Sequence, residues 1–316
     1  MGRQSVMSFA RQLNTETNNL YFNKPLGLCR KKEFFVGLDS DGCVFNTMEI
    51  KHKECFIPQT IKHWGLQQIS SLFRETWEFV NLYSIWRGTN RFPALCKVFE
   101  LLSQRPKIIQ LSFEIPNLSP LREWISLTPA LDNLFLEEYA RKVNNKIIEK
   151  ALLWSHAVNK AIAEMVYGIP PFKQAVKAIE SLQSQADLMV VSQTPLQALA
   201  SEWQEHGLNK KVTALAGQEH GSKEAQLRHA LALGYLAEHI LMIGDAVGDL
   251  LAAQKAGVLF YPIIPGQEEE SWEHFLKEAL PRFLSGRYQG SYAAEIIANF
   301  KNRLPTDPPW LCQQAQ

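Results

Sequence analysis

Phe34-Phe35-Val36-Gly37-Leu38 is an uncharged run that opens with two aromatics, contains a β-branched valine, and ends in Asp39-Ser40-Asp41-Gly42. Such a run suits a central strand covered on both faces, the usual state of a strand in a parallel sheet. Two carboxylates one residue apart at its carboxyl end are hard to explain as structure alone. In open α/β sheets, ligands bind outside the carboxyl ends of the strands, where the following loops leave a crevice. Gly42 lets the chain turn sharply away. The competing reading is an Asp-Gly turn with solvated carboxylates, and the rest of the chain has to choose between the two.

Beyond this stretch the pattern changes. From about 48 to 167 the chain reads as helices: Ile69, Leu72, Phe73, Trp77 and Val80 recur at helical spacing, as do Leu95, Val98, Phe99 and Leu102. A third helical region spans about 131 to 166, with Ala151, Val158, Ile162 and Met165 on one face, and prolines at 93, 106, 116, 120 and 129 punctuate the intervals. No strand alternation interrupts them. From Gly168 onward helix and strand alternate, which is the signature of βαβ units. A helix near 172–184 leads to the apolar Leu188-Met189-Val190-Val191, closed by Ser192. Thr194 is placed to cap the next helix, with Pro195 at its first position. Val212 to Ala216 reads as a short strand, Ser222 caps a further helix, and Ile240-Leu241-Met242-Ile243 is a buried strand ending in Gly244-Asp245. Val258-Leu259-Phe260 supplies one more strand. The division expected is an N-terminal extension (1–32), an α/β core (33–47 and 168–265), a helical insertion (48–167) and a helical tail (266–316).

Composition excludes more than it selects. Thirty-three basic against thirty-two acidic side chains leave a net charge of +1, so no global field favours nucleic acid or an anionic membrane. No apolar run approaches the roughly 18 residues of a membrane span. The cysteines at 29, 43, 55, 96 and 312 are odd in number and form no C-x-x-C pair. That argues against a disulfide framework or structural zinc and fits a reducing cytoplasm. The sequence sets no oligomeric state.

Parallel strands place their carboxyl ends on one edge of the sheet. That edge gathers Asp39 with Asp41, Ser192, and Asp245 with Asp249, and Lys223 joins them if its helix starts on the same side. Clustered carboxylates repel, so a cation between them is the natural way to keep them ionised. All-oxygen donors without His or Cys select Mg²⁺. With a lysine facing a carboxylate nucleophile, the set forms an electrostatic cradle for a transferring phosphoryl group.

These residues resemble the four motifs of the haloacid dehalogenase superfamily: Asp39-Ser40-Asp41-Gly42 with Thr47 beyond it, Ser192, Lys223, and Gly244-Asp245-Ala246-Val247-Gly248-Asp249. The resemblance covers about 40–47 and 188–260. It implies a Rossmann-like parallel sheet with a helical cap inserted after the first motif, and it implies roles. Asp39 is then the nucleophile that forms an aspartyl-phosphate, and Asp41 the acid that protonates the leaving oxygen and later activates water. The Asp41 carbonyl, Asp39 and Asp245 bind Mg²⁺, with Asp249 as a ligand or holding a metal-bound water. Ser192 hydrogen-bonds a phosphoryl oxygen, and Lys223 neutralises charge. An acid two residues after the nucleophile favours phosphoryl transfer over carbon–halogen cleavage. Cys43 and Asn46 depart from the Thr and Asp more usual there, without removing a catalytic group.

The function expected is a Mg²⁺-dependent phosphatase acting on a small phosphorylated metabolite, with no nucleic-acid or membrane partner. A phosphomutase with the same aspartyl-phosphate, or a catalytically silent metabolite-binding protein, are the alternatives. Within the insertion, Asn81 to Pro93 gathers Tyr83, Trp86, Arg87 and Arg91 around Gly88. It suits recognition of a polar or anionic group. The alternative is that the aromatics complete a helix face while the arginines are solvated at its end.

Overall fold

A computed structural model describes residues 26–312 of the chain. The expected N-terminal extension lies outside the described residues up to position 25, as do the last four residues of the expected tail. The described residues divide into two compact units, an α/β unit (26–48 and 167–305) and a helical unit (Glu49–Val166 with 306–312).

Five strands build the α/β unit: β1 (Phe34–Leu38), β2 (Ala186–Val191), β3 (Ala214–Ala216), β4 (Ile240–Gly244) and β5 (Leu259–Pro262). All pair in parallel, in the order β3-β2-β1-β4-β5. The α/β Rossmann-like core read from the sequence is therefore present. β1 is central because it is apolar on both faces, and its last four residues are buried, as are all of β2 and β4. The chain builds outward from β1 to β2 and β3, then returns to place β4 on the other side of β1. That reversal is the switch point at which a crevice opens. Mid-strand Gly37 has a packing reason: a Cβ there would lie 3.0 Å from Val191 Cγ2 and 3.1 Å from Leu227 Cδ2, so the strand admits a close helix only without a side chain.

The helical unit contains α1 (Ile57–Trp64), α2 (Ser70–Leu82), α3 (Arg91–Ser103), α4 (Ser119–Leu127), α5 (Asn133–Lys142) and α6 (Lys146–Met165). The single helical region expected over 131–166 is two helices, because Asn145 accepts from Ile147 N at 2.9 Å and caps α6 afresh. Trp77, Trp124, Trp154, Phe73, Phe92 and Phe99 fill the core. Two of the indoles satisfy their N–H inside it, Trp154 on Thr60 Oγ1 (2.9 Å) and Trp77 on His52 Nδ1 (3.0 Å). The chain end returns to this unit: the Arg105 guanidinium sits 4.2 Å from the centre of the Trp310 ring.

In the α/β unit, α7 (Lys173–Leu182), α8 (Leu196–Glu205), α9 (Lys223–Ala232) and α10 (Val247–Ala256) accompany the strands. Residues 266–305 are part of this unit rather than an appended tail. Their aromatics made the difference: Trp272, Phe275 and Phe283 are fully buried in the same core as Val36 and Leu38. Trp272 Nε1 donates to Cys43 O at 2.8 Å, and Glu269 accepts from Lys173 N and Gln174 N, each at 2.8 Å, at the start of α7.

Candidate active site

The loop after β1 is wound tightly by its own backbone. Val44 N and Phe45 N donate to Ser40 O at 2.9 and 3.0 Å, and Gly42 N donates to Phe45 O at 2.8 Å. Gly42 has φ +75°, which only glycine adopts freely. Asp39 N donates to Ile243 O at 2.9 Å, extending the sheet ladder one residue past the strand and setting Asp39 beside the end of β4. Ser40 is spent on the fold, its hydroxyl donating to Glu202 Oε2 (3.0 Å) and accepting from Trp203 Nε1 (2.9 Å), both on α8. Asp39 and Asp41 flank this anchor.

Asp41 is gripped at both carboxylate oxygens. Thr47 Oγ1 donates to Oδ1, and Thr194 Oγ1 donates to Oδ2 at 3.0 Å. The sequence reading of Thr194 as a helix cap is corrected here: α8 begins at Leu196 with Pro195 before it and no side-chain cap, while the threonine hydroxyl reaches 153 positions back along the chain. No local pattern announces a contact of that range. Ser192 lies just past β2, its backbone N donating to Ala216 O at 3.0 Å. Its Oγ accepts from Thr194 N at 3.1 Å, a bond that does not use the hydroxyl proton.

Lys223 opens α9 behind the Ser222 cap, whose Oγ accepts from Ala225 N at 3.2 Å. Its ammonium lies 2.8 Å from Asp39 Oδ1 and 2.5 Å from Asp249 Oδ1. Four residues of the resemblance thus meet at one sheet edge, since Asp39, Asp245 and Asp249 present oxygens all within 4.8 Å of one another and all three are buried. Asp249 folds back over Gly244 and accepts from Ala246 N at 3.1 Å. Gln226, one turn after Lys223, was not singled out by the sequence. Its buried amide donates to Ser192 O (3.1 Å), Gly217 O (2.9 Å) and Gly221 O (3.1 Å) and so ties the loops after β2 and β3 to α9.

The electrostatics follow from burial. Loss of solvent pushes the Asp39 carboxyl well above the usual carboxylate range; the Lys223 ammonium pulls it back, and repulsion from Asp249 and Asp245 adds to the rise. Asp249 is raised for the same first reason, opposed by Lys223 and reinforced by Asp245. Burial alone would drain charge from Lys223, but Asp249 and Asp39 outweigh it and raise its pKa. Cys43, buried beside them, is also pushed up, first by burial and then by Asp39, so it stays a thiol.

Beside the Lys223 ammonium, the three buried carboxylates crowd their oxygens into a poorly solvated place. A divalent cation fits that cluster. The donors are carboxylate oxygens alone, which suits a hard ion.

The insertion segment gives a different result. Arg87 is buried and donates to Leu82 O at 3.0 Å. Arg91 Nη1 donates to Ser155 O (3.1 Å), Ser155 Oγ (3.0 Å) and Asn159 Oδ1 (2.7 Å), and its guanidinium lies over the Phe56 ring. Burial lowers the Arg91 pKa to about 10. Tyr83 is exposed and donates to Glu49 Oε1 at 2.7 Å, and Trp86 packs against the unit's core with Lys97 over its ring. All four have partners within the helical unit, and neither arginine is a solvated helix end.

Residues 127–263 match the family model of the haloacid dehalogenase-like hydrolases. This stretch is haloacid dehalogenase-like. It contains Ser192, Lys223, Asp245 and Asp249, while Asp39 and Asp41 join it through the sheet. The superfamily resemblance read from the motifs therefore stands, and the matching family is one of hydrolytic enzymes. No curated protein sequence matches the chain. Among solved structures, a predicted phosphoglycolate phosphatase from Haemophilus somnus is 15% identical with a TM-score of 0.48, the alignment covering 78% of this chain and 99% of that one. A haloacid dehalogenase-like family protein from Streptococcus pneumoniae is 16% identical with a TM-score of 0.42, over 84% and 98% of the two chains. A predicted phosphatase from Clostridium acetobutylicum is 15% identical with a TM-score of 0.41, over 73% and 85%.

Proposed function

We propose that this protein is a Mg²⁺-dependent phosphatase that hydrolyses a small phosphomonoester through an aspartyl-phosphate. The observation that carries the reading is the Lys223 ammonium shared between Asp39 and Asp249, with Asp41 two residues on and held at both oxygens. A carboxylate faced by a cation, with a second carboxylate fixed beside it, provides one nucleophile and one proton carrier.

In the first step an Asp39 oxygen attacks phosphorus, the bond from phosphorus to the ester oxygen breaks, and Asp41 gives its proton to that oxygen as the alcohol leaves. In the second, water attacks the phosphorus of the aspartyl-phosphate, Asp41 takes its proton, and Asp39 is restored as inorganic phosphate departs. Lys223 balances charge on the nucleophile and the phosphoryl group, and Ser192 donates its hydroxyl proton to a phosphoryl oxygen. A bound Mg²⁺ would be held by Asp39, Asp245 and the Asp41 carbonyl, with Asp249 beside them, and would supply Lewis-acid neutralisation of the phosphoryl oxygens.

The helical unit is the substrate-selecting insertion in this reading. No helix among the described residues is long and apolar enough to cross a membrane, and we place the enzyme in the cytoplasm, acting on a small phosphorylated metabolite. The test is a phosphate-release screen over sugar phosphates, nucleotides and phosphorylated acids with Mg²⁺ present. Free phosphate supports the hydrolase. An isomerised ester indicates a mutase, and no reaction with any ester, including p-nitrophenyl phosphate, overturns the reading.

A further inference from the structure

We propose that Thr194 is a positioning residue for the proton transfers of this site, holding the Asp41 carboxyl in the plane from which it serves both steps. The inference rests on the aspartyl-phosphate reading above and adds a residue that the superfamily resemblance did not supply.

The hydroxyl donates to Asp41 Oδ2 at 3.0 Å, opposite the Thr47 hydroxyl on Oδ1. A carboxyl group turns easily about its last torsion, which is broad and roughly two-fold. One hydrogen bond leaves that rotation available, whereas donors on both oxygens fix the plane. Thr194 is itself rigidly held. Its backbone N donates to Ser192 Oγ (3.1 Å), its carbonyl accepts from Gln218 N (3.1 Å), and the next helix is pinned by Leu196 N donating to Glu219 Oε2 (2.9 Å). Gly217 makes room for this turn, since a Cβ at that position would lie 2.8 Å from Leu196 Cα, Leu196 N and Thr194 O.

The ordinary use of a threonine here, capping the following helix, is excluded because α8 has no side-chain cap. The same three-residue turn also sets Ser192. Ser192 Oγ accepts from Thr194 N, so the group that faces a phosphoryl oxygen and the group that aims the acid are fixed by one piece of backbone. Phosphate binding and proton delivery are thereby registered to each other.

The test compares Thr194→Val, which keeps shape but loses the hydroxyl, with Thr194→Ser and Thr194→Ala. Asp41→Asn serves as the reference, with Mg²⁺ present and folding checked by circular dichroism. Single-turnover formation of the phosphoenzyme is measured on an alkyl phosphate and on p-nitrophenyl phosphate. The alkoxide needs a well-aimed proton, whereas p-nitrophenolate leaves with little help. Thr194→Val and Thr194→Ala should lose about tenfold on the alkyl ester and much less on the aryl ester, with KM little changed, and Thr194→Ser should recover most of the loss. A purely structural role would lower both esters alike. Equal losses on both, no loss, or failure of Thr194→Ser to rescue would overturn the proposal. If Asp41→Asn is severely impaired while the Thr194 variants match the wild type, the positioning role falls alone. If wild type hydrolyses neither ester, the phosphatase reading falls and takes this one with it.

Discussion

Gly244 and Asp249 compete for one space: a Cβ on Gly244 would lie 2.5 Å from Asp249 Cγ and 2.7 Å from its Cβ. The glycine at the end of β4 therefore does more than end a strand. It lets the Asp249 carboxylate fold back against the backbone to meet Lys223 at 2.5 Å. Gly244 has no positive φ, so alanine fits the backbone and only the contact is lost. Gly244→Ala should displace the carboxylate, cost about 1–3 kcal/mol in overpacking, and raise the Mg²⁺ concentration needed for half-maximal activity by about tenfold or more. Wild-type stability and an unchanged Mg²⁺ titration would show that Asp249 needs no such cradle.

Metal removal should abolish turnover, since three buried carboxylates present oxygens within 4.8 Å of one another. EDTA is expected to stop phosphate release, and added Mg²⁺ to restore it. The same ion should raise the melting temperature, because it binds the folded cluster and not the unfolded chain. At a hundredfold excess over its dissociation constant the gain is about 2.7 kcal/mol. Full activity after EDTA, or a melting temperature indifferent to Mg²⁺, would count against the carboxylates as a metal site.

Asp39→Asn keeps the shape of the side chain and its ladder backbone N–H, but an amide is a poor nucleophile. Turnover should fall by several orders of magnitude with circular dichroism unchanged. Near-normal turnover in a folded variant moves the chemistry to another residue.

How far the site was legible depended on the range of each contact. Asp39, Ser192, Lys223 and Asp245 sit at strand ends or a helix start, so apolar runs and caps announce them, and a parallel sheet necessarily brings strand ends together. Thr194 and Gln226 act across the chain, and nothing in their neighbours marks them out. The sequence around them reads as helix entry and helix face, and their partners are set by tertiary packing. In the 81–93 segment, arginines and aromatics around a glycine look like a recognition loop, and their partners inside the helical unit, Ser155 and Asn159 for Arg91 and the buried surroundings of Arg87, are likewise set by tertiary packing. Residues 266–305 read as a tail because their apolar positions follow the last strand without a further βαβ unit to frame them.

The opposite end of the sheet provides a prediction about stability alone. Asp187, buried in β2, accepts from Lys31 N and Lys32 N at 2.8 Å each and from the Tyr235 hydroxyl at 2.5 Å. Hydrogen bonds to a charged acceptor contribute more than neutral ones, and the donors lose a partner when it goes. Asp187→Ala should cost about 3 kcal/mol in urea unfolding while leaving kcat within about twofold for the folded fraction, because the residue is at the amino end of its strand. A large drop in kcat at full folding would mean that this end communicates with the site.

Trp272 joins the late part of the chain to the first motif. Its indole N–H donates to Cys43 O at 2.8 Å, and both residues are fully buried. The carbonyl lies two residues past Asp41, inside the turn wound around Ser40 and Gly42. Trp272→Phe keeps most of the apolar surface and deletes the donor, leaving a buried acceptor without this partner at a cost of about 1–3 kcal/mol. A smaller cavity cost adds to it. The loop that aims Asp41 should loosen as well, so kcat is expected to fall several-fold while KM changes little. Removing residues 266–316 altogether should do more than expose a surface: with Trp272, Phe275 and Phe283 gone from the core, the remaining sheet loses one packed face and should not fold. Chemical denaturation of Trp272→Phe and solubility of the shortened chain are the two measurements. A stable, cooperatively unfolding truncated protein would show that these residues are an appendage after all, and an unchanged Trp272→Phe would show that the bond to Cys43 holds nothing in place.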